Sequence, residues 1–215
     1  MMKFLLLFVA SLAMAIDIVQ TPIDFDEKRV ELSLDYIKEH YNKTPKDITI
    51  EPKIIVIHHT AMDSFSEAFK RLKPSVLPNV RGDIASAGAL NVSAHFMVDK
   101  DGTIHQLMPL EFMARHTIGL NYNSIGIENV GGESSNDNLT DEQLKANIEL
   151  VKYLQERFSS IEYMVGHYEY RCFEKTPLWL EVDDGYRTIK NDPSPRFMQE
   201  LRKEIKTLKI APCDK

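Results

Sequence analysis

Ile54-Ile55-Val56-Ile57 is the strongest constraint on how this chain folds. Four consecutive β-branched residues favour an extended backbone. Neighbouring side chains in a strand leave on opposite faces, so both faces of this strand are apolar and both must be covered. Such a strand belongs inside a sheet. It runs directly into His58-His59-Thr60, which puts two metal-competent rings at the end of a buried strand.

The rest of the chain supplies partners for it. Residues 92–98 and 103–107 read as two strands joined at Asp99-Lys100-Asp101-Gly102, where Asp-Gly provides the positive φ that a tight hairpin turn needs. Residues 124–130 and 163–166 read as further strands. Helices are expected over 26–41, 65–72, 140–158 and 195–208. The third opens on Thr140-Asp141-Glu142-Gln143, the form of a capping box. The first ends at Lys43-Thr44-Pro45, since the residue before proline is pushed out of the helical region. Residues 73–90 and 171–189 read as long loops. The expected fold is α/β, a single domain with a central mixed sheet flanked by helices. Residues 16–50 form a helical leader and 51–210 the main domain.

The chain has 215 residues, enough for one domain, and a net charge of −6 without a basic block. That argues against nucleic acid as a partner and against adhesion to an anionic membrane. Lys3 followed by an apolar run to Leu12 and by Ala13-Met14-Ala15 reads as a secretory signal peptide cleaved after Ala15. The run is too short to span a bilayer, and no other segment is long and apolar enough. The destination is therefore the periplasm or the exterior, with the chain acting as a monomer. Two cysteines, Cys172 and Cys213, either bridge in such a compartment or remain as thiols; spacing alone does not decide.

Three metal-competent side chains stand far apart: His58, His167 after Met164-Val165-Gly166, and Asp192 in Lys190-Asn191-Asp192-Pro193. Two histidines and a carboxylate, with water in a fourth position, suit a hydrolytic zinc site. Strand alternation forbids His58 and His59 from serving one metal together and does not choose between them. In Ser124-Ile125-Gly126-Ile127-Glu128, the isoleucines share one face and Ser124, Gly126 and Glu128 the other. A carboxylate ending a face of small residues suits an open cleft. Lys190 and Asp192 share one side of an extended segment, so one can face a cation while the other faces a substrate.

These segments resemble a known family. Ile55-Val56-Ile57-His58-His59-Thr60-Ala61, Ser93-Ala94-His95-Phe96, Asp101-Gly102-Thr103-Ile104-His105-Gln106, Ala114-Arg115-His116-Thr117-Ile118-Gly119, Asn123-Ser124-Ile125-Gly126-Ile127-Glu128, Val165-Gly166-His167 and Lys190-x-Asp192-Pro193 occur in family order. Together they look like the type-2 N-acetylmuramoyl-L-alanine amidases and the related peptidoglycan recognition proteins, over residues 52–200. The resemblance implies an amidase fold of that type and one zinc ion on His58, His167 and Asp192. It implies Glu128 as general base, Lys190 as oxyanion partner, and His116, His95 and Asn123 on the substrate side. The implied reaction is hydrolysis of the amide between the muramic-acid lactyl group and L-alanine, with peptidoglycan or muropeptides as partners. A non-catalytic peptidoglycan-binding module and a recycling amidase for anhydro-muropeptides are the alternative readings. Two departures stand out. Residues 168–189 separate His167 from Asp192, which leaves Cys172 as a nearer candidate ligand. Ala94 stands where some relatives carry a catalytic tyrosine. His40 reads as a helix-surface residue.

Overall fold

The computed structural model describes residues 16–78, 84, 87–133 and 136–213. The expected signal segment 1–15 and residues 79–83, 85 and 86 of the first long loop lie outside them. The elements run β1 (Val19–Gln20), α1 (Glu27–Tyr41), β2 (Ile54–Ile57), α2 (Phe65–Leu72), β3 (Phe96–Val98), β4 (Ile104–Gln106), β5 (Ser124–Asn129), α3 (Asp141–Arg157), β6 (Tyr163–Gly166) and α4 (Pro195–Glu204). The six strands form one mixed sheet in the order β1-β4-β3-β5-β2-β6. Only β3 and β4 pair antiparallel; the other neighbours are parallel. No helix among the described residues is long and apolar enough to cross a membrane.

All four expected helices form. Asp26 caps α1 by accepting from Arg29 N–H, and Asn42 ends it in the left-handed conformation. Thr140 and Gln143 make both halves of the capping box on α3. Gly102 takes a φ of +87° in the β3–β4 turn. β2 is wholly buried between β5 and β6. Leu32, Tyr36, Ile37 and Tyr41 of α1 join the same core as β2, Leu150, Leu154, Phe197 and Leu201. The leader thus shares the core of the main domain.

Three differences from the expected elements have physical causes. Residues 92–95 lie beside β3 but outside it, because Ser93 N–H donates to Arg115 O and only from His95 onward does the chain reach β5. β1 is two exposed residues, too short to show alternation, and is defined only by pairing along β4. α4 stops at Glu204 rather than 208. The chain there turns to cover the open edge of β6, with Lys209 N–H on Glu162 O and Met164 N–H on Lys209 O. A disulfide between Cys172 and Cys213 then anchors this tail.

The 171–189 segment begins as the end of a 3-10 helix, His167–Phe173, and continues as a strap held at intervals. Asn123 Nδ2 donates to Leu178 O at 2.6 Å, Leu180 N–H to Gly119 O at 2.9 Å, and Val182 N–H to His40 O at 2.9 Å. His40 is therefore not on a surface. It is 3% exposed and its Nδ1 meets both oxygens of buried Glu181 at 3.1 Å.

The disulfide closes a loop spanning 41 residues that contains Lys190, Asp192 and α4. The chain-entropy model assigns a loop of that size about 4 kcal/mol. A Cys172→Ser/Cys213→Ser chain is expected to lose stability on that scale in urea unfolding, with the native far-ultraviolet spectrum retained. An unchanged midpoint would show that the tail is held by its other contacts.

Candidate active site

The register of three parallel strands builds the site. Ile57 of β2 is matched to Ile127 of β5 on one side and to Gly166 of β6 on the other. One residue further along each strand stand Glu128, His58 and His167. Matched positions in neighbouring strands point to the same face, so these three leave the carboxyl edge of the sheet at one level. His58 is fixed there by its backbone. Its N–H donates to Ile127 O at 2.8 Å, and its carbonyl accepts from Asn129 Nδ2 at 3.0 Å.

Asp192 reaches the same point from the end of the strap. Its carbonyl accepts from Tyr168 N–H at 2.9 Å, one residue past His167. Upstream, Tyr170 donates its hydroxyl to Thr188 O at 2.6 Å and accepts from Thr188 N–H at 3.0 Å. The strap therefore arrives at Lys190 and Asp192 already anchored. Cys172 is committed to its disulfide, and Asp192 is the residue that converges with the two histidines.

His58 Nδ1 lies 3.0 Å from His167 Nδ1, and Asp192 Oδ2 lies 3.2 Å from the first and 3.0 Å from the second. A tetrahedral zinc with bonds of roughly 2.0–2.1 Å spaces its ligand atoms about 3.3 Å apart. The triangle has the edge length and the chemistry, two imidazole nitrogens and a carboxylate oxygen, that such an ion requires. Burial, and next the facing His167, holds His58 down to about 4, so its ring is neutral and able to ligate. Burial opposes ionisation of Asp192, yet the facing His167 holds its carboxyl well below the usual carboxylate range.

The trio opens into a cleft of about 290 Å³ whose walls include His59, Met62, Arg71, Val92, Glu128 and Lys190. Expected metal donors, base and cation thus surround one cavity. The face argument for β5 holds in three dimensions. A Cβ on Gly126 would stand 2.8 Å from the His116 ring, so the small face makes room for His116 and Glu128 continues it into the cleft.

A family model for N-acetylmuramoyl-L-alanine amidase matches residues 49–195. The chain belongs to that amidase family. Its fold is similar to that of the N-acetylmuramoyl-L-alanine amidase LysC from Clostridium intestinale URNW, with 21% identity, a TM-score of 0.50, and 91% of this chain and 100% of that one covered. A selenomethionine derivative of AmpD shows 22% identity and a TM-score of 0.53 over 86% of this chain and 93% of its own. Bumblebee PGRP-SA shows 19% and 0.50 over 92% and 99%. At such identities the likeness establishes the fold. No curated protein sequence matches significantly.

Two of the substrate-side expectations for this amidase-family chain need correcting. His95 is fully buried, and both its ring nitrogens serve the backbone: Nδ1 accepts from Gly126 N–H at 3.0 Å, and Nε2 lies 2.9 Å from Phe112 O. It locks residues 92–95 to β5 and does not line the cleft. Asn123 sits at the opposite end of β5 and holds the strap through Leu178. His116 does line the cleft, but its nitrogens face His58 and Ser124. His59, the ring that alternation sets against His58, lines the cleft and packs under Gly132, where a Cβ would stand 2.3 Å from the ring. Sequence reading missed Arg115, which is 3% exposed. It donates to Ile84 O and Leu90 O and to Tyr186 Oη, tying the first long loop to the strap at the cleft wall. Its place in the Ala114-Arg115-His116-Thr117 segment was the available signal.

Burial pushes the His95 imidazole down to about 4 from its ordinary 6.5. The unfolded chain takes up a proton between those values that the folded chain refuses. The stability held by neutral His95 is complete above pH 6.5 and is lost as pH falls towards 4, by about 3 kcal/mol. Unfolding free energies of the metal-free protein across pH 7 to 4 are expected to fall more steeply than those of His95→Gln. Parallel profiles would refute the assignment.

Proposed function

We propose that this protein is an exported zinc-dependent N-acetylmuramoyl-L-alanine amidase. It hydrolyses the amide between the muramic-acid lactyl group and the L-alanine of the stem peptide. The convergence of His58, His167 and Asp192 beside Glu128 and Lys190 in one cleft carries this reading. Membership of the amidase family supports the substrate class.

Zinc, when bound by the trio, supplies a Lewis acid that acidifies water and polarises a carbonyl. Glu128 accepts the proton of the attacking water as general base. The Lys190 ammonium faces the oxygen on which negative charge develops. Glu128 then returns the proton to the leaving amine of L-alanine, and the carboxylate product stays on the glycan. With Ala94 buried and without a hydroxyl, the proton traffic falls to Glu128. The signal segment, cleaved after Ala15, and the disulfide both favour a periplasmic or secreted site of action.

Digestion of purified peptidoglycan with mass analysis of the products tests the reading. Free stem peptides beginning in L-alanine are expected, with release stopped by a chelator and restored by zinc. Glu128→Ala is expected to keep stoichiometric zinc and lose roughly 10²- to 10⁴-fold in rate. Lys190→Ala is expected to lose roughly 10²- to 10³-fold, whereas His167→Ala and Asp192→Ala lose the metal. Near-native turnover in Glu128→Ala would overturn the base assignment. A zinc-loaded protein that binds peptidoglycan and releases nothing would make it a binding module.

A further inference from the structure

His116 has no ring nitrogen left for a substrate. Its Nδ1 lies 3.0 Å from His58 Nε2 and 2.9 Å from Thr117 Oγ1, and its Nε2 lies 3.2 Å from Ser124 Oγ. The direction of the protons in this chain follows from its far end. Ser124 Oγ donates to Leu120 O at 2.8 Å, and a carbonyl can only accept. Ser124 has therefore spent its one hydroxyl proton and can only accept from His116, which makes His116 Nε2 a donor. A neutral imidazole carries one proton, so His116 Nδ1 is a bare acceptor. The Thr117 hydroxyl, 2.9 Å from that nitrogen and 3.5 Å from His58 Nε2, is a second possible donor, but an unprotonated His58 Nε2 at 3.0 Å would set lone pair against lone pair, so the geometry places a proton on His58 Nε2. His58 carries its single proton on that nitrogen, and its Nδ1 lone pair is free to face His167 and Asp192.

We propose that His116 is a positioning residue. Accepting from His58 Nε2–H, with its own tautomer set by Ser124 and Leu120, it presets His58 for metal binding through Nδ1. The inference rests on the trio being a zinc site and concerns how one ligand is prepared. A metal-binding histidine usually donates its other N–H to an acceptor that fixes ring and tautomer. Here that acceptor is a second imidazole held in a built socket. Gly126 leaves space for the ring, and Ser124, on the same face of β5, orients it. His167 has no such control, since its Nε2 is buried with no hydrogen-bond partner among the described residues. Preparation of the site falls on the His58 side.

Zinc affinity, measured by competition with a chromophoric chelator, tests this apart from activity. His116→Leu removes the acceptor and is expected to weaken zinc roughly 10- to 100-fold. His116→Asn keeps an acceptor oxygen near the Nδ1 position and is expected to stay within about threefold of the native value, on the logic that the acceptor and not the ring is what matters. Equal affinities for native and Leu variants, or equal losses in Leu and Asn, would overturn the proposal. Nitrogen-detected NMR of the metal-free native protein gives a readout that needs no variant. His58 and His116 are both expected as Nε2-protonated tautomers, and an Nδ1-protonated His58 would refute the wiring. His58→Ala separates the two levels: if it retains stoichiometric zinc, the metal reading itself fails, whatever His116 does.

Discussion

The alignment of three parallel strands underlies everything at this site. Because Ile127, Ile57 and Gly166 form one row across β5, β2 and β6, the next residue on each strand emerges at the same height and on the same face. A slip of one residue in either pairing would turn a side chain to the opposite face. The register is held by complete burial of β2 on both faces, so the apolar packing of isoleucines sets the positions of the polar groups.

The second requirement is delivery of Lys190 and Asp192, which belong to no strand. The strap from 174 to 189 does this by tying itself to Gly119, Asn123, α1 and Tyr170. Burying His40 against Glu181 takes the leader helix into the same task. Buried polar groups need hydrogen-bond partners, and the Glu181 carboxyl finds more than one. Asp183 N–H donating to Glu181 Oε1 provides one of them. A long interval between the second histidine and the carboxylate is thus compatible with a compact trio.

Around the trio, polar groups fall into two kinds. His58, His167, Asp192, Glu128 and Lys190 open on the cleft. His95, Asn123 and Arg115 turn their polar atoms to backbone carbonyls and amides and hold the walls. His116 stands between, exposed to the cleft by position and wired into the protein by its nitrogens. All carry similar motif signals in the sequence, and burial with saturated hydrogen bonding separates them.

Local order was legible in the chain. The apolar strand, the capping box at Thr140, the Asp99–Gly102 turn and the small face of β5 each depend on neighbours within a few residues, and each formed where its pattern stands. The metal-competent types and their family order were also readable, and with them the family. Other features had no local signature. Two exposed residues of β1 show no alternation. Whether Cys172 meets Cys213 depends on where the tail turns. The burial of His40 depends on Glu181, 141 positions away. The sequence by itself determined which side chains were available for metal, base and cation, because residue type and strand alternation are local properties. Only the tertiary structure decided that His58 and not His59 faces His167 and Asp192, that Cys172 is spent on a disulfide, and that His116 serves His58. Those outcomes depend on strand register and on contacts across 109 and 134 positions, which no local pattern encodes.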